Sequence, residues 1–128
     1  MRATAYAPDG ITSPMPDVTG IPDGPDRWLL MDFLADADRS EDLVLAALDR
    51  VEQGIPEFNW GDHYVWVEMY PDDRVVITQN EDLVDEDGDS EHPPQTTITI
   101  SEARQLLLDW LKAKEAWYAE LRKKEAGG

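Results

Sequence analysis

From Ala103 to Leu121 the residues Ala103, Leu106, Leu107, Trp110, Leu111, Trp117, Tyr118 and Leu121 recur at helical steps and mark one broad apolar face. A helix of about five turns with one apolar face is the strongest structural signal in the chain. Lys112, Lys114, Arg122, Lys123 and Lys124 gather towards its C-terminal half, as the helix macrodipole favours. Just before it, Thr96-Thr97-Ile98-Thr99-Ile100 is a β-branched run of low helix propensity. That run predicts a strand, with Ser101 ending it and capping the helix.

Alternation marks the strands at the centre of the chain. Between His63 and Tyr70, Val65, Val67 and Met69 face one side, and Tyr64, Trp66, Glu68 and Tyr70 the other. Pro71-Asp72-Asp73 has turn chemistry, so Arg74 to Gln79 is expected to return as the second strand of a hairpin, with Val76 on the aromatic side. Phe58 and Trp60 alternate ahead of a possible Gly61-Asp62 turn. If the last helix covers the Val65, Val67 and Met69 face, the aromatic face must meet either the first two helices or a partner.

Two helices are expected upstream. Trp28, Leu29, Leu30, Phe33 and Leu34 form a stripe with Asp26 as N-cap, giving a short helix to about Ala37. Leu43, Val44, Ala47, Leu48 and Val51 follow Ser40, and Gly54 with Pro56 stops them, giving a helix over about 41–53. Residues 1–25 carry five prolines and three glycines and are expected to be irregular or extended. The resulting fold class is α+β: a small antiparallel sheet of three to four strands with a central hairpin, packed against a long C-terminal helix and two N-terminal helices. Residues 26–128 form its single domain, an ordinary size for one core.

Charge narrows the range of partners. Residues 1–103 hold 24 acidic and 5 basic side chains, and residues 104–128 hold 4 and 6, for a net charge of −17. Such a field repels nucleic acid and anionic membranes and attracts basic protein surfaces. Cysteine is absent, which excludes disulfides, thiolate metal sites and a nucleophilic Cys. The start of the chain lacks a secretory apolar run, and no segment approaches the roughly 18 apolar residues of a membrane span. A cytoplasmic monomer is the expectation.

Glu81, Asp82, Asp85, Glu86, Asp87, Asp89 and Glu91 place seven carboxylates in the eleven residues from 81 to 91. A loop of this length between two strands is usually functional or flexible. A calcium loop is one reading of Asp85-Glu86-Asp87-Gly88-Asp89. However, setting Gly88 at loop position six puts Leu83 first and Pro94 twelfth, where ligands are required. His63 and His92 lack ligand spacing, no serine has a Gly-x-Ser-x-Gly context, and no phosphate-cradling glycine loop is present. The reading is therefore not an enzyme, with no cofactor and no metal. The candidate partner-binding residues are Glu81, Asp82, Asp85, Glu86, Asp87 and Asp89, with Tyr64, Trp66 and Tyr70 as an aromatic hot spot ringed by acids.

Three passages carry a family resemblance: Leu45-Ala46-Ala47-Leu48-Asp49-Arg50-Val51-Glu52-Gln53-Gly54, Phe58-Asn59-Trp60-Gly61-Asp62-His63-Tyr64-Val65-Trp66, and Thr99-Ile100-Ser101-Glu102-Ala103 leading to Leu107-Leu108-Asp109-Trp110-Leu111. Their arrangement resembles the YacL-like small proteins and the related CdiI-type immunity proteins of contact-dependent inhibition. The resemblance covers about residues 33–118. It implies a small α+β fold and, for the immunity branch, tight binding to a cognate toxin domain. The expectation is an immunity protein that occludes the active or substrate site of a basic nuclease toxin. The alternative is a YacL-like cytoplasmic regulatory module that binds some other protein and has no toxin partner.

Overall fold

The computed structural model describes residues 1–6, 13–60, 64–79 and 94–126. The elements run β1 (Arg2–Tyr6), β2 (Met15–Thr19), α1 (Pro25–Ala37), α2 (Glu41–Glu52), β3 (Glu57–Trp60), β4 (Val65–Tyr70), β5 (Arg74–Gln79), β6 (Gln95–Ile98) and α3 (Ile100–Ala126). β3, β4, β5 and β6 form a four-stranded antiparallel sheet in chain order, and β1 pairs with β2 in a separate two-stranded sheet. The chain is thus α+β, with a second small sheet that the alternation pattern did not foretell.

The central hairpin forms over the expected strands, with Met69 opposite Val75, Val67 opposite Ile77 and Trp66 opposite Thr78. Because side chains alternate across a strand, this register puts Val65, Val67, Met69, Val75 and Ile77 on one face, where all are buried. α1 lies across the same face, contacting β4, β5 and β6, and contributes Leu29, Leu30, Phe33 and Leu34 to a shared core. α3 packs mainly against β1 and α2, and its main contact with the sheet is at β5. The arrangement therefore differs from the expected one: α1, not the long helix, is the principal cover of the sheet. Its four apolar residues fall on one side of a helix short enough to span the strands.

In the first segment, expected to be irregular or extended, the irregular reading is corrected over residues 2–6 and 15–19, which are paired strands. Ala3 pairs with Val18 and Ala5 with Pro16, and Ala3 and Val18 are buried. In a two-stranded ribbon every strand is an edge, so Pro16 sacrifices no ladder bond that a central strand would need. Side-chain anchors hold the ribbon in place. The Arg27 guanidinium donates to the Val18 carbonyl at 2.8 Å, and Asp109 of α3 accepts from Arg2 and from the Ala3 amide.

Chain ends of the helices follow recognisable chemistry, shifted from the expected positions. α1 opens with Gly24 as N-cap and Pro25 inside the first turn, where proline forfeits only an already orphaned donor. Ser40 precedes α2 without a side-chain capping bond. That helix stops in a Schellman arrangement: Gly54 at φ 98° donates to the Val51 carbonyl at 3.0 Å and Ile55 donates to that of Arg50 at 3.1 Å. At α3 the cap is Thr99, not Ser101. The Glu102 amide donates to Thr99 Oγ1 at 3.1 Å and the Thr99 amide to Glu102 Oε1 at 3.0 Å, a reciprocal capping box. Asp73, held at φ 67° by the three-residue turn between β4 and β5, adds a third partner by accepting from the Ile100 amide at 3.0 Å. Thr99→Ala is expected to lower stability by about 1 kcal/mol, read as a lower urea midpoint with unchanged slope.

α3 is buried only in its first half. Ala103, Leu106, Leu107 and Trp110 are buried, while Leu111 and Trp117 are half-buried and Tyr118 and Leu121 exposed. None of the described helices is long and apolar enough to cross a membrane.

Candidate protein-docking surface at one end of the sheet

Residues on the second face of the sheet alternate with those of the core. Trp66, Glu68 and Tyr70 on β4, Arg74, Val76 and Thr78 on β5 and Thr97 on β6 share this face through the cross-strand pairs Trp66–Thr78, Glu68–Val76, Tyr70–Arg74 and Val76–Thr97. Its residues are mostly exposed or half-buried, and Trp66 retains 44% of its surface. The first two helices therefore do not cover the aromatic face; α1 lies on the other side.

The strand register separates the three aromatic residues singled out in the sequence. Tyr64 and Trp66 stand at the start of β4, opposite the end of β5. Tyr70 stands at the turn end, about 13 Å from Trp66 along the strand. There its hydroxyl donates to Glu68 at 2.5 Å and the Arg74 guanidinium stacks 4.5 Å from its ring centre. The Glu68 hydrogen bond raises the phenol above its ordinary range. Glu81, Asp82, Asp85, Glu86, Asp87 and Asp89 lie outside the described residues, as do His63 and His92. The residues that flank the acidic connection are described: the Gln79 amide donates to the Pro94 carbonyl at 2.9 Å. Gln79 and Pro94 thus stand at the end of the sheet that carries Tyr64 and Trp66.

α1 brings further residues to this end. Trp28, Asp32 and Asp36 follow one another at four-residue steps along one side of the helix. Asp36 accepts from the amides of Tyr64, at 2.9 Å, and Val65, at 2.9 Å, which fixes the entry of β4 against the helix. Asp32 is half-buried, and burial together with the Asp36 charge pushes its carboxyl up from the usual range. Trp28 is 54% exposed, and its indole N–H donates to Asp23 at 3.2 Å. Pro25, Trp28, Leu29, Asp32, Gln79 and Pro94 line a pocket of about 180 Å³. Sequence reasoning assigned Trp28 to the core stripe. Its position beside Leu29, Leu30, Phe33 and Leu34, which already fill that stripe, was the available signal that it is surplus to the core.

Elsewhere several cations are held in ion pairs. Arg2 pairs with Asp109, Arg27 with Asp17 and Asp23, Arg50 with Glu57, Arg74 with Asp72, Arg104 with Asp49 and Glu52, and Lys114 with Asp38 and Glu41. Among the described residues no Lys or Arg makes an ion pair with Asp32 or Asp36. Nor does any group of three or more His, Asp or Glu among them stand ready to hold a metal ion. The arrangement thus combines exposed indoles with carboxylates that lack a cation, a composition suited to binding a basic surface. Comparison with protein-family models, with curated proteins and with solved structures finds no match for this chain.

Proposed function

We propose that this chain is a protein-binding inhibitor: an immunity protein that neutralises a cognate toxin domain, a basic nuclease, by occluding its active or substrate site. The observation that carries the reading is the joint presence, at one end of the sheet, of exposed Trp28, Tyr64 and Trp66 with the unmatched carboxylates Asp32 and Asp36. The strand ends that flank the seven acids of residues 81–91 lie there too. A nuclease needs a basic groove to hold phosphates, and an anionic inhibitor is steered to it, with association accelerated roughly 10- to 1,000-fold. The acids supply attraction at a distance and the aromatic residues supply the desolvated contact. That the partner is basic follows from charge; that it is a toxin follows from the resemblance to CdiI-type immunity proteins. In the YacL-like alternative the same surface binds a basic protein that is not a toxin.

The test is co-expression with the product of the adjacent reading frame. The immunity reading expects that frame to encode an exported protein with a basic C-terminal domain, which co-purifies with the chain and kills cells only in its absence. Cells that die equally with and without the chain would remove the immunity reading. An isolated gene would favour the regulatory module.

A further inference from the structure

The pocket beside Trp28 has features that a flat docking surface does not require. At about 180 Å³ it falls below the roughly 300–1,000 Å³ of sites for drug-sized ligands, so it fits a single side chain better than a metabolite. Its walls are chemically distinct. Pro25, Leu29 and Pro94 are apolar, the exposed Trp28 indole offers an aromatic face, and Asp32 supplies a carboxylate, with Gln79 adding an amide.

We propose that this pocket receives one arginine side chain of the docking protein, with its methylenes against Pro25, Leu29 and Pro94, its guanidinium plane on Trp28 and its donors on Asp32. Charge complementarity selects the occupant. An anion is repelled by Asp32 and by Asp36 one turn further along the helix. A neutral apolar side chain strips water from Asp32 and gives it no partner. Arginine is favoured over lysine because a planar guanidinium stacks on an indole and presents a fork of donors to a carboxylate. Two half-buried carboxylates held close together without an ion pair to Lys or Arg constitute a local destabilisation that an incoming cation relieves.

The proposal rests on reading this end of the sheet as a protein-docking surface, and the experiment separates the two. The indole N–H resonance of Trp28, assigned through Trp28→Phe, is followed by NMR while acetyl-Gly-Arg-Gly-amide is added, with the citrulline and lysine peptides as controls. The arginine peptide is expected to give a saturable shift in the millimolar range, the citrulline peptide none, and Asp32→Asn to weaken the response at least tenfold. Asp32→Asn removes a repelled charge and should leave the melting temperature unchanged or higher, so loss of binding is not loss of fold. The arginine assignment is overturned by equal shifts from arginine and citrulline, by a lysine peptide that binds as well, or by an unchanged response in Asp32→Asn. If the partner binds Asp32→Asn as tightly as the parent but fails to bind a Trp66→Ala variant, the docking surface stands and the arginine pocket does not.

Discussion

Replacing Lys114 with Met is expected to destabilise the fold by roughly 3 kcal/mol, the usual scale for removing one partner of a buried ion pair. Lys114 reaches from α3 to the turn between α1 and α2, where its ammonium donates to Asp38 Oδ1 at 2.6 Å and to Glu41. Glu41 is almost fully buried, so without Lys114 its charge has neither water nor a counterion. Burial alone would lower the ammonium's pKa, but the hydrogen bonds it donates to Asp38 and Glu41 outweigh it and the net shift is upward. A cation whose pKa is raised on folding stabilises fully below its unfolded value, near 10.4, and that contribution is lost as pH rises through the folded value. The Met variant should therefore melt about 10 °C lower at neutral pH, with a smaller deficit at high pH. The double variant Lys114→Met, Glu41→Leu should recover most of the loss, because no charge is then left buried. A single variant that melts like the parent would show that Glu41 is not held by this pair.

Asp109→Ala is the second large effect, about 2 kcal/mol, and it should act on one part of the fold. Asp109 is buried and accepts from Arg2 Nε at 2.6 Å, Arg2 Nη2 at 2.8 Å, the Ala3 amide at 3.2 Å and Gln105 at 2.8 Å. Truncation leaves a buried amide without an acceptor and removes the main polar tie between β1 and α3. The Arg2 hydrogen bond, reinforced by Gln105 and the Ala3 amide against the effect of burial, holds the carboxyl below the ordinary range. A carboxylate whose pKa falls on folding stabilises above its unfolded value, near 3.9, and the contribution disappears as pH drops through the folded value. In the parent, the β1–β2 ribbon should loosen below about pH 4. In Asp109→Ala it should exchange its amide hydrogens faster at neutral pH as well, at Ala3 and Val18 more than at Val67 or Ile77. Uniform acceleration across all four would mean that the ribbon is not a separable unit.

How far the fold was legible depended on whether the pattern was local. The Val65, Val67, Met69 alternation and the helical spacing of Leu43 to Val51 are properties of neighbouring residues, and β4 and α2 lie where those patterns put them. The β1–β2 ribbon was not legible, because its short strands contain alanine and proline and one of its main ties, Asp109, lies more than a hundred residues from β1. Long-range choices were equally hidden. Nothing in the spacing of α1 and α3 decides which helix covers the sheet, and the apolar stripe of α3 extends to Leu121 although burial ends at Trp110. The nearest cap signal misled by two residues, since Thr99 and Glu102 form the reciprocal pair that Ser101 lacks.

Composition and alternation offered the acids of residues 81–89 and the aromatic residues around β4 as candidates, and did not point to the side chains of α1 that lie beside Tyr64 and Trp66. Trp28, Asp32 and Asp36 join Tyr64 and Trp66 only because α1 crosses the end of the sheet and Asp36 caps the first amides of β4. Tyr70, grouped with them by face, is set apart by distance along the strand and by its contacts with Glu68 and Arg74. Alternation in a strand reveals which face a side chain takes and says nothing about which end of the sheet another element will cover.

The central claim, that this end of the sheet receives a basic protein under electrostatic attraction, is tested most directly by association kinetics with the co-purifying partner at low and high salt. The parent should associate quickly and slow steeply as salt rises. A variant with Glu81, Asp82, Asp85, Glu86, Asp87 and Asp89 changed to Asn or Gln should start at least tenfold slower and respond less to salt. Trp66→Ala should instead leave the association rate nearly unchanged and raise the dissociation rate. Equal rates for parent and neutralised variant at both salt concentrations, with dissociation indifferent to Trp66, would contradict the account.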